Sequence, residues 1–426
     1  MLIMRGLGGK PWQHFENSLL ASRCSHIKKI LIVSQMFYPD HSSTSKVMTD
    51  LAVFLAENGY EVLALSQNRS YQNEKETFPL REEYKGIRIF RVPVPCSSKN
   101  SLAGRVILNL SFILKAKKRI REMGADILFS VSNPAFGSMF FQNAAKKNGM
   151  QSVYILHDLY PDILNRLGMI AESNPFYKVM KKITERTFYE ADRIVVLGED
   201  VKNYILSRYK IGASKVRFIP NWGPSGKMQE TGNRRKPAKS ERTLQVLYTG
   251  NIGATADLFT LAEAASIVGK KKPEIRFRII GGGRYYESLK NKVLELGLDN
   301  MTVETYLPEK EFLEALQEAD VCFLSLKDGL TGISVPSKTY YYLSRGKPVV
   351  CQVPDDSEIA REAREWGFGI VAPADAEGLA EVFLNLCDKP EILDEMAQKA
   401  ELAFQKSFSR EKILVKYKSL LEELYR

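Results

Sequence analysis

Short, uninterrupted apolar runs alternate along the first half of the chain with stretches of helical periodicity. Continuous runs rich in β-branched residues predict strands that are buried on both faces, as in a parallel sheet. They lie at Lys28–Ser34, Glu61–Ser66, Ile87–Val92, Ile127–Ser130, Ser152–Leu156 and Arg193–Leu197. Apolar residues spaced three and four apart predict helices over Lys46–Asn58 and residues 103–123, 136–148, 175–190 and 199–208. The first half is therefore predicted to be an α/β unit built from βαβ crossovers.

The same alternation begins again after residue 243. Strands are predicted at Gln245–Gly250, Glu274–Gly281, Thr302–Tyr306, Val321–Leu326 and Pro348–Gln352, and helices over residues 257–268, 285–295, 309–318 and 337–345. Two successive α/β runs predict two Rossmann-like domains, which would face each other across a cleft. The last predicted helix, Arg410–Leu424, is apolar along one face.

Breaks in this pattern give the domain boundaries. Residues 223–243 combine Gly, Pro and basic side chains, and predict a basic linker between a first domain at 27–222 and a second at 244–407. The linker lacks the aromatic residues that single-strand nucleic-acid binders place between basic ones, so its charge is interpreted as solvated surface. Residues 1–26 lack periodicity and predict a loose tail, with a membrane or partner tether as the alternative.

Composition narrows the class of protein. The 426 residues carry 61 Lys and Arg against 50 Asp and Glu, a net charge of +11 at pH 7. That excess suggests an anionic partner: nucleic acid, an acidic membrane surface or a phosphate-bearing small molecule. Five widely spaced cysteines and four histidines form no metal-binding or disulfide pattern, and no apolar run reaches the roughly 18 residues of a spanning helix. We therefore expect no metal site and a cytoplasmic protein.

Candidate binding residues lie where the predicted strands end, because ligands of such sheets bind outside the carboxyl ends of the strands. Gly250 and Asn251 end one strand before a helix, an arrangement that suits a diphosphate or, more simply, a tight turn. Gly281, Gly282 and Gly283 end the next strand. They give a weak phosphate signal without Gly-x-Gly-x-x-Gly spacing, so no dinucleotide cofactor is expected.

A Ser–Lys segment precedes the helix predicted at 337–345. Pro336 would open this helix, and Ser334 or Ser337 would cap it. Lys338 would then lie in the first turn, where a cation is unfavourable unless an anion binds there. This conflict favours a phosphate partner for Lys338 over a surface lysine that points away.

His157 and Asp158 follow the strand predicted at Ser152–Leu156. A histidine at the end of a central strand can donate a hydrogen bond, or act as an acid or base near neutral pH. The alternative is a purely structural histidine. The Tyr160–Asp162 segment beside it predicts a turn.

The order of these segments resembles the family 4 retaining glycosyltransferases of the GT-B fold, in particular their bacterial exopolysaccharide and O-antigen members. The segments are ILIVSQMFYPD, VYILHDLYPDIL, RIVVLGEDVKNYI, RFIPNW, VLYTGNIG, FRIIGGGRYYESL and VPSKTYYYLSRGKPVV. The resemblance implies that the second domain binds a nucleotide-sugar donor and the first an acceptor. It also implies no obligatory metal or cofactor, and a C-terminal helix, 408–426, that crosses back to the first domain.

The resemblance carries over to single residues unevenly. His157 falls on the family's catalytic-site histidine, and Lys338 is the natural substitute for the family's phosphate-binding cations, because the usual Arg is Asn251 here. The family's glycine-rich first loop falls on His41–Ser45, whose Ser42, Ser43, Thr44 and Ser45 would leave backbone N–H groups open; Asp158 joins this acceptor side. The other expected donor-site residues are Gly250, Gly281, Gly282, Gly283, Tyr306, Leu307, Ser334, Val335, Pro336, Ser337 and Tyr341.

The largest departure concerns two family glutamates, which fall on Ile333 and Tyr341. In the family the second commonly holds the donor ribose and the first faces the donor sugar. Tyr341 offers a hydroxyl or a ring to stack, whereas Ile333 cannot replace a carboxylate. The departure bears on donor identity and on activity.

The resulting hypothesis is a retaining, metal-independent hexosyltransferase that uses a UDP-sugar such as UDP-glucose and a polysaccharide or lipid-linked acceptor. Residues 105–121 place basic and apolar side chains together, as in a helix that lies on an anionic bilayer at the inner face of the cytoplasmic membrane, or in a helix packed on the sheet with a solvated basic end. A nucleotide-sugar epimerase and a non-catalytic UDP-sugar-binding protein are the alternatives. A nucleic-acid binder is disfavoured because no recognition motif is present.

Overall fold

Two α/β sheets organise the chain, in a computed structural model that describes residues 28–40, 42–70, 73, 75–96, 101–224 and 243–424. The first sheet has eight strands, in the order β3 (Arg81–Tyr84), β4 (Ile87–Val92), β2 (Glu61–Gln67), β1 (Lys29–Val33), β5 (Ile127–Val131), β6 (Gln151–Leu156), β7 (Arg193–Val196) and β8 (Val216–Phe218). The second has six, in the order β11 (Met301–Glu304), β10 (Ile275–Gly282), β9 (Leu244–Asn251), β12 (Val321–Ser325), β13 (Val349–Gln352) and β14 (Gly369–Val371). Every pairing between neighbouring strands is parallel except that of β3 with β4. Buried parallel sheets require helices on their faces, which explains why the strands read as continuous apolar runs.

The first domain contains the following elements in chain order: β1 Lys29–Val33, α1 Ser43–Glu57, β2 Glu61–Gln67, β3 Arg81–Tyr84, β4 Ile87–Val92, α2 Leu102–Met123, β5 Ile127–Val131, α3 Gly137–Lys147, β6 Gln151–Leu156, α4 Asp162–Arg166, α5 Pro175–Glu190, β7 Arg193–Val196, α6 Glu199–Arg208 and β8 Val216–Phe218.

The second domain continues with β9 Leu244–Asn251, α7 Leu258–Lys271, β10 Ile275–Gly282, α8 Tyr286–Glu295, β11 Met301–Glu304, α9 Glu309–Glu318, β12 Val321–Ser325, α10 Lys338–Leu343, β13 Val349–Gln352, α11 Glu358–Trp366, β14 Gly369–Val371, α12 Ala376–Asp388, α13 Pro390–Ala403 and α14 Arg410–Leu424. Because all strand pairings but one are parallel, the carboxyl ends of the strands collect at one edge of each sheet.

Helix α14 returns to the first domain. Its apolar face packs among residues of β1, β5 and α1, with Tyr417 1% exposed and its ring 6.0 Å from that of Trp222. Arg410, at its start, forms an ion pair with Asp50 of α1. Burial of this face ties the end of the chain to the first sheet, which confirms the predicted crossing of the C-terminal helix.

One hydrophobic core continues from the first domain into the second. Leu156, Leu159 and Ile205 of the first domain belong to the same buried cluster as Ile333 and Tyr340 of the second. The two domains are therefore joined by packed side chains on one side of the cleft, besides the covalent connection.

The predicted strands and helices are confirmed, with shifts of a few residues at their ends. Strands β3, β8 and β14 and helices α11, α12 and α13 were not predicted, and the turn predicted at Tyr160–Asp162 was partly wrong, because Asp162 begins the short helix α4. The predicted tail 1–26, His41 and nearly all of the predicted linker lie outside the described residues.

Candidate active site

Lys338 meets Gly250 at the centre of the second domain's strand-end edge. Lys338 is the first residue of α10, and its Nζ donates a hydrogen bond to the carbonyl of Thr249, the residue before Gly250. A β-carbon at position 250 would collide with this amine. Gly250 also has a φ of 132°, which side-chain-bearing residues rarely adopt. Two loops that the sequence singled out separately are thus brought into contact.

The amine of Lys338 is perturbed by its surroundings. It lies 5.0 Å from the centre of the Tyr248 ring, and burial lowers the pKa of Lys338 to about 7. Desolvation disfavours the charged form of an amine that has no carboxylate nearby. A bound anion would restore the charge, so the amine is suited to a phosphate.

A fully buried tyrosine holds this arrangement together. The hydroxyl of Tyr342 lies 3.0 Å from both the N–H and the Oγ1 of Thr249. Tyr342 follows Lys338 by about one helical turn, so both side chains lie on one face of α10 and form hydrogen bonds with Thr249 of β9. Neither Tyr342 nor Thr249 was predicted from the sequence as a site residue. The spacing of four residues from Lys338 is the signal that could have indicated Tyr342.

The glycines at the end of β10 permit close packing of two strand ends. A β-carbon on Gly281 would collide with the carbonyl of Gly250, and one on Gly283 would lie 2.7 Å from the carbonyl oxygen of Ile252. The Asn251 side chain fills the space beside Gly283. These glycines therefore have a structural role, whatever ligand the loop takes.

Tyr306 and Leu307 flank this edge differently. Tyr306 is 57% exposed and its ring lies against Gly282, whereas Leu307 is partly buried against the shared core. Tyr306 is therefore the more exposed of the two side chains, and its ring lies beside the glycines.

The segment that leads into Lys338 is anchored to the first domain. Ser334 Oγ donates to Asp158 Oδ1 at 3.1 Å, and the N–H of Leu159 donates to the carbonyl of Ile333 at 3.3 Å. The predictions for this helix start were partly wrong. Ser337 occupies the cap position of α10, but its side chain forms no capping hydrogen bond, and Ser334 bonds Asp158 instead. Pro336 does not open the helix, because α10 begins two residues later at Lys338. Val335 is buried, and the Pro336 carbonyl accepts a hydrogen bond from Thr339 Oγ1.

His157 and Asp158 stand at the carboxyl end of β6. Ser132 Oγ accepts the backbone N–H groups of both residues, at 3.1 and 3.2 Å. His157 Nε2 has no hydrogen-bond partner in the structure, and burial lowers the pKa of His157 to about 4. Burial raises the pKa of Asp158, against the opposing effect of the Ser334 hydrogen bond. The imidazole is therefore neutral at pH 7, and its buried Nε2 lacks a hydrogen-bond partner among the described residues.

The positions of the two family glutamates carry side chains that pack against neighbouring residues. Ile333 is 1% exposed and packs in the core that joins the domains. Tyr341 packs its ring 5.6 Å from that of Phe312, with the Arg345 guanidinium over it. Ile333 thus contributes to the apolar contact between the two domains.

The first-loop serines belong to a helix. α1 begins at Ser43 instead of Lys46, and Ser42 caps it by accepting the N–H of Ser45 at 3.2 Å. The expectation that residues 42–45 leave their N–H groups open was therefore wrong for two of them. The N–H of Ser45 is used in helix capping, and the N–H of Ser42 donates to Asp40 Oδ1 at 2.9 Å. Ser43 and Thr44 form the first turn of the helix.

Two kinds of feature are absent from the described residues. None of their helices is both long and apolar enough to span a bilayer. Nor do their His, Cys, Asp and Glu side chains form a group of three or more that could hold a metal ion.

Comparisons with known proteins agree with this architecture. Residues 44–222 match the family described as Glycosyltransferase Family 4, and residues 229–403 match Glycosyl transferases group 1. A probable glycosyltransferase, WbjE of Pseudomonas aeruginosa, is 27% identical over 303 residues, 69% of this chain and 74% of WbjE.

Solved structures share the fold at low identity. Sucrose-phosphate synthase from Thermosynechococcus elongatus matches with a TM-score of 0.70 at 16% identity, over 93% of this chain and 99% of its own. Anabaena HepE, solved with UDP and glucose, matches with a TM-score of 0.67 at 13% identity, over 93% of this chain and 100% of its own. Two Rossmann-like domains of this kind define the GT-B class. The chain belongs to the family 4 glycosyltransferases.

Proposed function

We propose that this protein transfers a hexose-type sugar from a UDP-sugar, such as UDP-glucose, to a hydroxyl group of a growing, lipid-linked polysaccharide, with retention of configuration. The observation that carries the proposal is the amine of Lys338 above Gly250, at the edge where GT-B strands end. HepE, of the same fold, was solved with UDP and glucose, which supports a uridine nucleotide as the donor.

The donor would lie along the second domain. The diphosphate would sit over Gly250 and Asn251 and against Lys338 and the Ser334–Ser337 segment, and the base beside Gly281–Gly283 and Tyr306. Small residues at the strand ends let a phosphate approach the backbone. Since Tyr341 supplies no carboxylate for the ribose, we expect weaker selection at the ribose hydroxyls.

The reaction forms a bond between the anomeric carbon and the acceptor oxygen as the bond to the diphosphate breaks. The acceptor proton passes to the leaving phosphate oxygen, so the atoms balance without a further reagent. The Lys338 ammonium opposes the charge that develops on that phosphate, which stabilises the transition state. The neutral His157 imidazole, whose buried Nε2 lacks a partner among the described residues, would form a hydrogen bond with a hydroxyl of the donor sugar. Cleft closure excludes water and limits hydrolysis.

The acceptor side is proposed to meet a membrane through α2. Val106, Ile107, Leu110 and Leu114 form a stripe on this helix, and each is 47–64% exposed, while the opposite face is buried on the sheet. Exposed basic residues, among them Lys118 and Arg121, follow on the same helix. An apolar stripe next to basic residues binds anionic bilayers. The protein would then act in the cytoplasm, at the inner face of the membrane.

The donor is tested by thermal shift with a panel of UDP- and GDP-sugars, followed by transfer assays with lipid-linked acceptors and analysis of the anomeric product. We expect a UDP-sugar to raise the melting temperature and to be consumed only with acceptor. Formation of an epimer without acceptor would favour the epimerase. Binding with neither hydrolysis nor transfer would favour a non-catalytic UDP-sugar-binding protein.

A further inference from the structure

Two helix N-termini from different domains face each other beside the shared core. Helix α6 of the first domain begins at Glu199, and helix α11 of the second begins at Glu358. The first N–H groups of a helix lack partners within it and carry partial positive charge. Two such ends repel each other unless negative groups lie between them.

At each helix N-terminus, a backbone N–H donates to a carboxylate of the other helix. Asp200 Oδ2 accepts the N–H of Glu358 at 3.1 Å, and Glu358 Oε2 accepts the N–H of Glu199 at 2.9 Å. The other oxygen of Asp200 accepts the N–H of Val201 at 2.7 Å. Each acid therefore caps the helix of the opposite domain. We name this pair, Asp200 and Glu358, the reciprocal cap.

The reciprocal cap also holds the loop that leads to Lys338. Asp200 Oδ2 accepts the N–H of Gly332 at 3.3 Å. Gly332 has a φ of 75°, and a β-carbon there would lie 2.6 Å from Cβ of Tyr204 on α6. The loop thus rests directly on the first domain, one residue before the buried Ile333 and two before Ser334, which bonds Asp158 beside His157.

We propose that Asp200 is a positioning residue that fixes the 330–335 loop against the first domain and thereby aligns Lys338 with His157. The donor cation belongs to the second domain and the imidazole to the first, and three hydrogen bonds of the loop, to Asp200, Leu159 and Asp158, connect them. Burial of Glu358, which is 2% exposed, makes the pair costly to separate.

Hydrogen exchange measured by mass spectrometry on the full chain tests this placement without any substrate. In Asp200→Asn and Asp200→Ala, amides of residues 330–335 and 357–359 should exchange about tenfold faster or more, because a charge-assisted acceptor is lost. Amides of β9 and α7 should exchange as in the wild type. Glu199→Gln is the matched control, since Glu199 is the neighbouring acid and, among the described residues, its side chain pairs only with Lys202 of α6. Unchanged exchange in both Asp200 variants would overturn the proposal.

The functional arm rests on the proposed function. We expect Asp200→Asn to lower kcat for transfer about tenfold and to leave UDP affinity within twofold of wild type, because UDP binds the second domain. An equal loss of UDP affinity would assign Asp200 to donor-site integrity and overturn the positioning role. If the wild type transfers no sugar, the proposed function fails, and the exchange measurement still decides the role of Asp200.

Discussion

The amine of Lys338 occupies the space that a β-carbon at Gly250 would need, so that a lysine and a glycine 88 positions apart in the chain share one site. The amine is held there by the Thr249 carbonyl, while Tyr342 fixes the rest of Thr249. The proposed binding of a diphosphate at this edge would therefore depend on both partners of the contact, and each can be changed separately.

Gly250→Ala should displace the lysine. The new methyl group collides with Nζ, and the backbone is strained at a φ of 132°. We expect UDP affinity, measured by calorimetry, to fall at least about tenfold as the cation moves away. Gly297→Ala is the control, because Gly297 also has a positive φ, of 61°, and open space around it. Equal effects of the two variants would show that backbone strain alone is responsible.

Lys338→Met keeps the length of the side chain and removes its charge. Loss of a charge-assisted hydrogen bond to the diphosphate should weaken UDP binding about 10- to 100-fold. Lys310→Met serves as the control, since its side chain is 89% exposed on α9. Wild-type UDP affinity in Lys338→Met would remove this residue from the donor site.

UDP binding should weaken as the pH rises above 7. Burial lowers the pKa of Lys338 to about 7 in the free protein, whereas a bound diphosphate favours the protonated amine. Binding above this pH therefore takes up a proton, and affinity should fall by up to about tenfold per pH unit. Calorimetry in buffers of different ionisation enthalpy measures the uptake. Lys338→Met controls for titration of UDP itself, and a wild-type slope equal to that of the variant would contradict the assignment.

Patterns in the sequence predicted the fold because buried parallel strands must be apolar on both faces. Elements with weaker patterns were missed. Strand β3, Arg81–Tyr84, is polar and half-exposed at the edge of the first sheet, and β14 is only three residues long. Neither provides the continuous apolar run that identifies a buried strand.

The sequence predicted candidate site residues within single loops, but not the contacts between those loops. Gly250 and Lys338 each carried a local signal, a glycine at a strand end and a cation at a helix start, but their contact depends on how the second domain packs. The pairing of Asp200 with Glu358 carries no local signal at all, since it joins residues 158 positions apart in different domains. The burial of Ile333 follows in the same way from the contact between the domains.

His157→Ala should slow transfer more than it weakens donor binding. The free Nε2 is proposed to contact the sugar, whereas UDP lies along the second domain, so kcat should fall about 10- to 100-fold with UDP affinity within twofold. Burial lowers the pKa of His157 to about 4, so the imidazole is neutral across pH 6–9. The His157→Ala substitution should therefore lower the rate by the same factor at every pH in this range. A rate inflection near pH 6.5 that disappears in His157→Ala would show instead that the imidazole titrates during turnover.

Membrane contact through α2 is tested by removing its exposed stripe. Leu110 and Leu114 are 51% and 64% exposed, so Leu110→Ser with Leu114→Ser should leave the melting temperature nearly unchanged. Sedimentation with phosphatidylglycerol-containing vesicles should show binding reduced about tenfold or more, since two apolar side chains no longer enter the bilayer. Leu294→Ser is the control, because Leu294 is 71% exposed on α8 of the second domain.

Wild-type binding should weaken with added salt, as expected for basic residues at an anionic surface. Binding that ignores salt would contradict the electrostatic contribution, and binding equal in the double variant and in Leu294→Ser would remove α2 from the membrane surface.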